Sequence, residues 1–473
     1  MRYPDWAVIL AYLAGVTWLG ARFRGRQKSL KDYFLGGRTA PWWAIALSIV
    51  SAETSTLTIV GTPGLAFAGD LGFLQVVLGY LLARIVISTL FLPHYFRGEM
   101  YTAYQLIEIR FGPRLRRVTA ATFLIVRAFA EGVRVFAISI VISVVLGTGE
   151  MASIALIVCL TLFYTFEGGM TAVIWTDVAQ MCLYVFGAVA SFAVLLSQMP
   201  GGWAHVVAVA APLGKLRVFD FGFTLTRPYT FWAGVIGGCV LTTASHGTEQ
   251  LLVQRLLAAR SERESRAALL TSWVVVFVQF ALFLLIGVLL FVRDADLHLT
   301  APRPLDRLYP DFVWNALPPG LAGLVMAAIL AAAMSNLSAA LNALASTTVI
   351  DFWRPLRRKP EGAGDVRVAR AATVAWGLVL LAIGWFARRW GSVLEAGLTI
   401  ASIAYGGLLG VFLLGLAPRR VPQNAAIFGM MAGIGTEIYL KLATRVAWTW
   451  YAAIGTAVTF AAAWLSAPLW ERD

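Results

Sequence analysis

The chain has 473 residues, of which 59% are hydrophobic and 13% charged, with a formal net charge of +13. So apolar a composition excludes an ordinary water-soluble globule and points to a polytopic membrane protein. The basic residues sit in short loops between apolar runs, which excludes a nucleic-acid-binding surface; Cys159, Cys182 and Cys239 all fall in apolar segments, which excludes a disulfide framework or zinc site.

The first apolar stretch, Asp5 to Gly20, follows Arg2 alone, lacks a small-residue cleavage site and precedes a basic run. It reads as a retained helix and not as a signal peptide. Counting apolar runs predicts about thirteen transmembrane helices, near 4–21, 41–66, 72–95, 114–146, 151–167, 171–198, 229–256, 265–292, 319–352, 366–388, 393–416, 422–441 and 446–468. Lysine and arginine are concentrated in alternate loops, which places the N-terminus outside and the C-terminus in the cytoplasm of a plasma-membrane protein.

The stretch 41–66 has the length of a bilayer crossing, yet carries Ser48, Ser51, Glu53, Thr54, Ser55, Thr56 and Thr58. Such groups at membrane depth are costly unless they face protein, water or a ligand. Gly61, Thr62, Pro63 and Gly64 are expected to weaken the helix further. A broken, polar helix of this kind marks the binding site of a membrane carrier.

Further along, Arg127, Glu131 and Arg134 share one helical face; they read either as a purely structural triad or as a cluster whose mutual pairing leaves a surplus positive charge able to meet a solute carboxylate. Asp177 is a membrane-embedded carboxylate, read as an ion ligand, a proton carrier or a group snorkelling to the interface. The helix at 229–256 crowds Thr242, Thr243, Ser245, His246, Glu249 and Gln250 into its centre. The helix at 319–352 aligns Ser335, Ser338, Asn342 and Ser346 on one face beside Asn336, which suits either a small hard cation or close helix packing.

After the first helix, five spans at 41–198 and five at 229–416 correspond in character. The first of each set is interrupted by polar residues, and the third of each is long. An odd number of helices per set makes the repeats inverted, an arrangement that resembles the LeuT-type transporters. The domains read as an extra N-terminal helix and loop at 1–40, a first repeat at 41–198, an external loop at 199–228, a second repeat at 229–418 and two C-terminal helices at 419–473.

The run Tyr164-Thr-Phe-Glu-Gly-Gly-Met-Thr-Ala172 with Trp175-Thr-Asp177 resembles the signature of the sodium:solute symporter family. So do Asp32-Tyr-Phe-Leu-Gly-Gly-Arg38, Val253-Gln-Arg255, Ala331-Ala-Ala-Met-Ser335 and Asp351-Phe352. The resemblance implies a main sodium site on backbone oxygens of Ser51, Thr54 and Ala332 with the side chains of Ser335 and Asn336. Asn336 stands where the family usually has Ser or Thr. A second ion would use Asp177 and Ser338, where Ala339 brings no hydroxyl. Solute contacts carried over fall on Glu53, Ser55, Phe73 and Thr242, with Arg127, Glu131 and Arg134 nearby.

The expectation is therefore an all-α membrane protein that imports a small polar, carboxylate-bearing solute with Na+ by alternating access. Its partners are solute, sodium and the lipid bilayer, with no nucleic acid, no organic cofactor, no enzymatic activity and an oligomeric state left open. Proton coupling, a sugar cargo, and a transporter-like sensor or channel are the alternatives.

Overall fold

The computed structural model describes residues 3–22, 38–97, 103–147, 149, 151–155, 158, 170–302, 304–353, 363–387, 389, 393–418 and 420–470. The described residues are helical apart from turns and one backbone bridge between Ala40 and Ala259. Among them, seven helices are long and apolar enough to cross a membrane, or eight if one bent pair counts as a span. Most of the expected helix at 151–167 lies outside the described residues, as does the Tyr164–Glu167 part of the signature run.

Helix α1 (Tyr3–Arg22) precedes that bent pair, α2 (Trp42–Glu53) and α3 (Thr56–Ala68), whose axes meet at 62°. The interruption falls at Thr54 and Ser55. Pro63 and its flanking glycines, expected to loosen the backbone, instead sit inside the continuous helix α3. They serve close packing: a methyl group on Gly61 would lie 2.8 Å from the Leu394 Cβ, and one on Gly64 3.2 Å from the Leu305 carbonyl.

Helix α4 (Leu74–Val86) continues through a π-helical turn at Ile87–Phe91 to Phe96. The long α5 (Pro113–Leu146) and α6 (Met170–Ser197) follow. A second interruption then divides α7 (Phe231–Gly247) from α8 (Gln250–Leu257) at Thr248 and Glu249. The loop expected to span 199–228 itself holds a short helix, Gly202–Ala210.

Next come α9 (Glu262–Asp296), α10 (Leu321–Thr347), α11 (Ala363–Ala387) and α12 (Val393–Leu416). The chain closes with α13 (Gln423–Ala443) and α14 (Tyr451–Trp470). α9 lies along both halves of the first broken helix, and α7 lies along α4. The Asp5 carboxylate accepts the Gly320 and Gly323 backbone N–H groups at 2.6 and 2.7 Å. It thus pins α1 to the otherwise unsatisfied amides at the start of α10.

The closest approaches rest on glycine. A Cβ on Gly287 of α9 would overlap the Pro63 carbonyl of α3, leaving only backbone to give way. Gly287→Ala is expected to cost about 1–3 kcal/mol, read as a lower thermal midpoint in detergent. Gly435→Ala, where among the described residues no atom outside its own stretch of helix lies within 4 Å of the added methyl, is expected to keep that midpoint or raise it slightly, alanine being the better helix former. Equal midpoints for the two variants would contradict this packing.

Candidate functional site

At the first interruption the Thr54 N–H still reaches the Val50 carbonyl at 2.7 Å, but the Ser55 N–H turns to Glu53 O at 3.0 Å. The Ser51 carbonyl therefore loses its usual i+4 donor. On the far side, the Thr58 N–H bonds Ser55 O at 2.9 Å, which leaves Thr54 O outside the ladder as well. Both freed carbonyls sit on buried residues. The Thr54 hydroxyl donates to Gln279 Oε1 of α9 at 2.9 Å, and the Tyr184 hydroxyl lies beside Ser51 and Thr54.

Glu53, the last residue of α2, turns its carboxylate toward α4. Its Oε2 meets Arg84 Nη2 at 2.5 Å and His246 Nε2 at 3.3 Å. Arg84 is fully buried, and it also donates to Ser272 Oγ at 3.1 Å and the Tyr80 carbonyl at 3.2 Å. His246 Nδ1 lies 2.8 Å from Ser245 Oγ. One ion cluster thus joins the broken helix to α4, α7 and α9.

The second interruption repeats the pattern with different residues. Glu249 precedes α8, and its Oε1 accepts from Arg127 Nη1 at 2.8 Å while Oε2 accepts from the Tyr405 hydroxyl at 2.6 Å. Arg127 also meets Glu131 at 2.7 Å, and Arg134 pairs with the same Glu131 oxygen. The surplus positive charge expected on α5 is therefore cancelled by Glu249. The Nε atoms of Arg127 and Arg134 nevertheless find no acceptor among the described residues.

Other expected residues divide. Ser55, at the first interruption, and Thr242, inside α7, are both buried. Phe73 is buried as well, and its ring stacks on Phe280 with centroids 5.1 Å apart and meets Tyr229 edge-on at 5.7 Å. Asp177 is committed to Arg255 Nη2 at 3.0 Å and to the Ser48 hydroxyl at 2.6 Å. Asn336 is buried with its amide nitrogen lacking an acceptor among the described residues, and Ser338 is half-buried. Ala332 and Ser335 belong to α10, but their side chains lie outside the described residues. Residues the sequence reading did not single out are Arg84, Tyr184, Gln279 and Tyr405. Arg84 had a signal: a basic residue deep in a span, with no acidic residue one turn away.

Two interrupted helices, each with a buried carboxylate at its break and arginines on neighbouring helices, define a membrane carrier of small solutes and ions. A model of the sodium:solute symporter family matches residues 33–433, and the chain belongs to that family. It is 26% identical over 477 residues to the sodium/sialic acid symporter NanT of Aliivibrio fischeri, covering 99% of this chain and 94% of that one. The human sodium/iodide cotransporter is 29% identical over 453 residues, covering 93% of this chain and 69% of that protein. The solved outward-open, substrate-bound state of a Na+-coupled sialic acid symporter superposes with a TM-score of 0.88 at 26% identity, covering 99% and 98% of the two chains. A nucleobase-cation-symport-1 family transporter shares the fold with a TM-score of 0.57 at 11% identity, covering 93% of each chain. The protein is thus a sodium-coupled symporter and not an enzyme.

The Glu53–Arg84 pair gives a direct test. Removing one partner of a buried ion pair strands the other charge and costs about 3–5 kcal/mol. Arg84→Met is expected to lower the thermal midpoint sharply, and adding Glu53→Gln to recover most of the loss. A double variant no more stable than Arg84→Met would contradict the pairing.

Proposed function

We propose that the protein imports a small, carboxylate-bearing solute together with Na+ by alternating access. The observation that carries the reading is the release of the Ser51 and Thr54 carbonyls at the first interruption. Sodium, a hard cation, prefers oxygen ligands; this extends the rule for calcium and magnesium. The family resemblance adds the Ala332 carbonyl and the side chains of Ser335 and Asn336, all on α10. Bound there, the ion braces α2 and α3 against α10 and shapes the pocket for cargo. Asp177 and Ser338 are the candidates for a second ion, at a site where Asp177 already holds Arg255.

For the solute, the reading places Glu53, Ser55, Phe73 and Thr242 on one side and Arg127, Glu131 and Arg134 on the other. The unpartnered Nε donors of Arg127 and Arg134 suit a carboxylate. Relatives named for sialic acid, monocarboxylates and iodide all point to anionic cargo. The finer architecture belongs to the same proposal: about thirteen spans, five-helix inverted repeats at 41–198 and 229–418 within the domain limits given above, and the C-terminus in the cytoplasm. The matched positions of the two interruptions support the repeats.

Coupling requires that each ligand bind more tightly when the other is present. An inside-negative potential adds about 2.3 kcal/mol per charge per 100 mV to sodium entry. Ser335→Ala is expected to raise the sodium concentration for half-maximal uptake about tenfold, a loss of about 1.4 kcal/mol. The measurement is uptake into proteoliposomes, with cargo chosen by a thermal-shift screen of organic acids, sugars and amino acids in sodium and in potassium. An unchanged sodium dependence would remove Ser335 from the site, and stabilisation by neutral sugars alone would remove the carboxylate.

A further inference from the structure

Beyond residue 433, where the family match ends, α13 carries a buried carboxylate that plays no part in the site above. Glu437 is fully buried. Its side chain lies on bare backbone, because methyl groups on Gly406 of α12 and Gly455 of α14 would each overlap Glu437 Oε1. One turn along, Thr459 of α14 fills the matching space beside Gly433 of α13 and Gly410 of α12. Three helices therefore meet around two glycine-lined sockets, one holding an acid and the other a hydroxyl.

The acid has little to bind. Oε1 accepts the Gly406 N–H at 3.1 Å, and the Gly407 N–H also faces the carboxylate, whereas Oε2 and the Thr459 hydroxyl are buried without a hydrogen-bond partner among the described residues. Among the described residues, no cation lies within ion-pair distance of Glu437. The other titratable groups on the three helices are engaged elsewhere or exposed, Tyr451 apart. Glu395 accepts from the Tyr229 hydroxyl, Tyr405 donates to Glu249, and Tyr439 and Lys441 are exposed. Tyr451, buried on α14, brings no positive charge. An ionised carboxylate in such a place is far more costly than a neutral acid.

We propose that Glu437 is a proton-binding site, a carboxylic acid kept neutral at physiological pH inside the α12–α13–α14 junction. Its proton turns Oε2 from an unanswered acceptor into a donor, with the α14 carbonyls beside the socket, among them that of Ala452, as acceptors. Gly406 directly follows Tyr405, whose hydroxyl holds Glu249 at the second interruption. The protonated acid thereby sets how α12 sits against the C-terminal helix pair.

Infrared spectroscopy of the full chain in lipid tests this independently of any cargo. Wild type minus Glu437→Gln at pH 7 is expected to show the loss of a protonated-carboxyl stretch, with sodium-driven uptake by the variant within about twofold of wild type (about 0.4 kcal/mol). Glu437→Asp keeps an acid, and its band is expected to shift in frequency without vanishing, which preserves the test should the glutamine variant fold poorly. Loss of an ionised-carboxylate band in its place, or no carboxylic-acid band for either variant to change, would overturn the assignment. So would a folded glutamine variant without uptake, since an amide reproduces the neutral acid in shape.

Discussion

A carboxylate at the end of an interrupted helix, deep in an apolar bundle, has to be answered by a cation. Glu53 and Glu249 occupy that position at the two interruptions, and Arg84 and Arg127 answer them from α4 and α5. Much else follows from this constraint. The first break frees the backbone carbonyls of Ser51 and Thr54, and the arginines tie the broken elements to unbroken ones. The site then has two charge-balanced poles, Glu53 with Arg84 and His246, and Glu249 with Arg127, Glu131, Arg134 and Tyr405.

Charge balance matters for transport because a carrier must let its ligands go. A lone buried arginine would hold an anionic solute too tightly and would be costly to empty. An arginine already shared among carboxylates offers only its remaining N–H directions, here the Nε atoms of Arg127 and Arg134. On the proposed reading, sodium plays the complementary part at the first break, where the freed carbonyls carry no net charge. In that proposal, ion binding shapes the backbone that presents Glu53 and Ser55, and one ligand's affinity comes to depend on the other. The aromatic stack of Phe73 on Phe280 packs the turn into α4 against α9.

Much of this was legible in the residues. Hydroxyls and a glutamate packed into 41–66 announced the first interruption, and the polar centre of 229–256 announced the second. The family signature agreed with both. The run Gly61–Gly64 was expected to weaken the helix further, because Pro63 and its glycines are the conventional helix breakers, yet it lies inside the continuous helix α3. In the folded chain that run is spent on contact with Leu394, Leu305 and Gly287, so close packing explains those residues better than unwinding. Arg84 and Arg127 pair with residues 31 and 122 positions away in sequence, Glu53 and Glu249, and no local spacing rule reaches so far. Helical periodicity on α5 found Glu131 as a partner but could not supply Glu249, so the charge of that cluster was read one unit too positive.

The central claim is that sodium occupies the gap between α2 and α3 and orders the backbone around it. Hydrogen–deuterium exchange of the amides from Ser51 to Thr58, measured in lipid nanodiscs in sodium and in potassium at equal ionic strength, addresses it without knowing the cargo. The account predicts slower exchange across this segment in sodium, with α13 and α14 unaffected. Identical exchange in the two salts would contradict it.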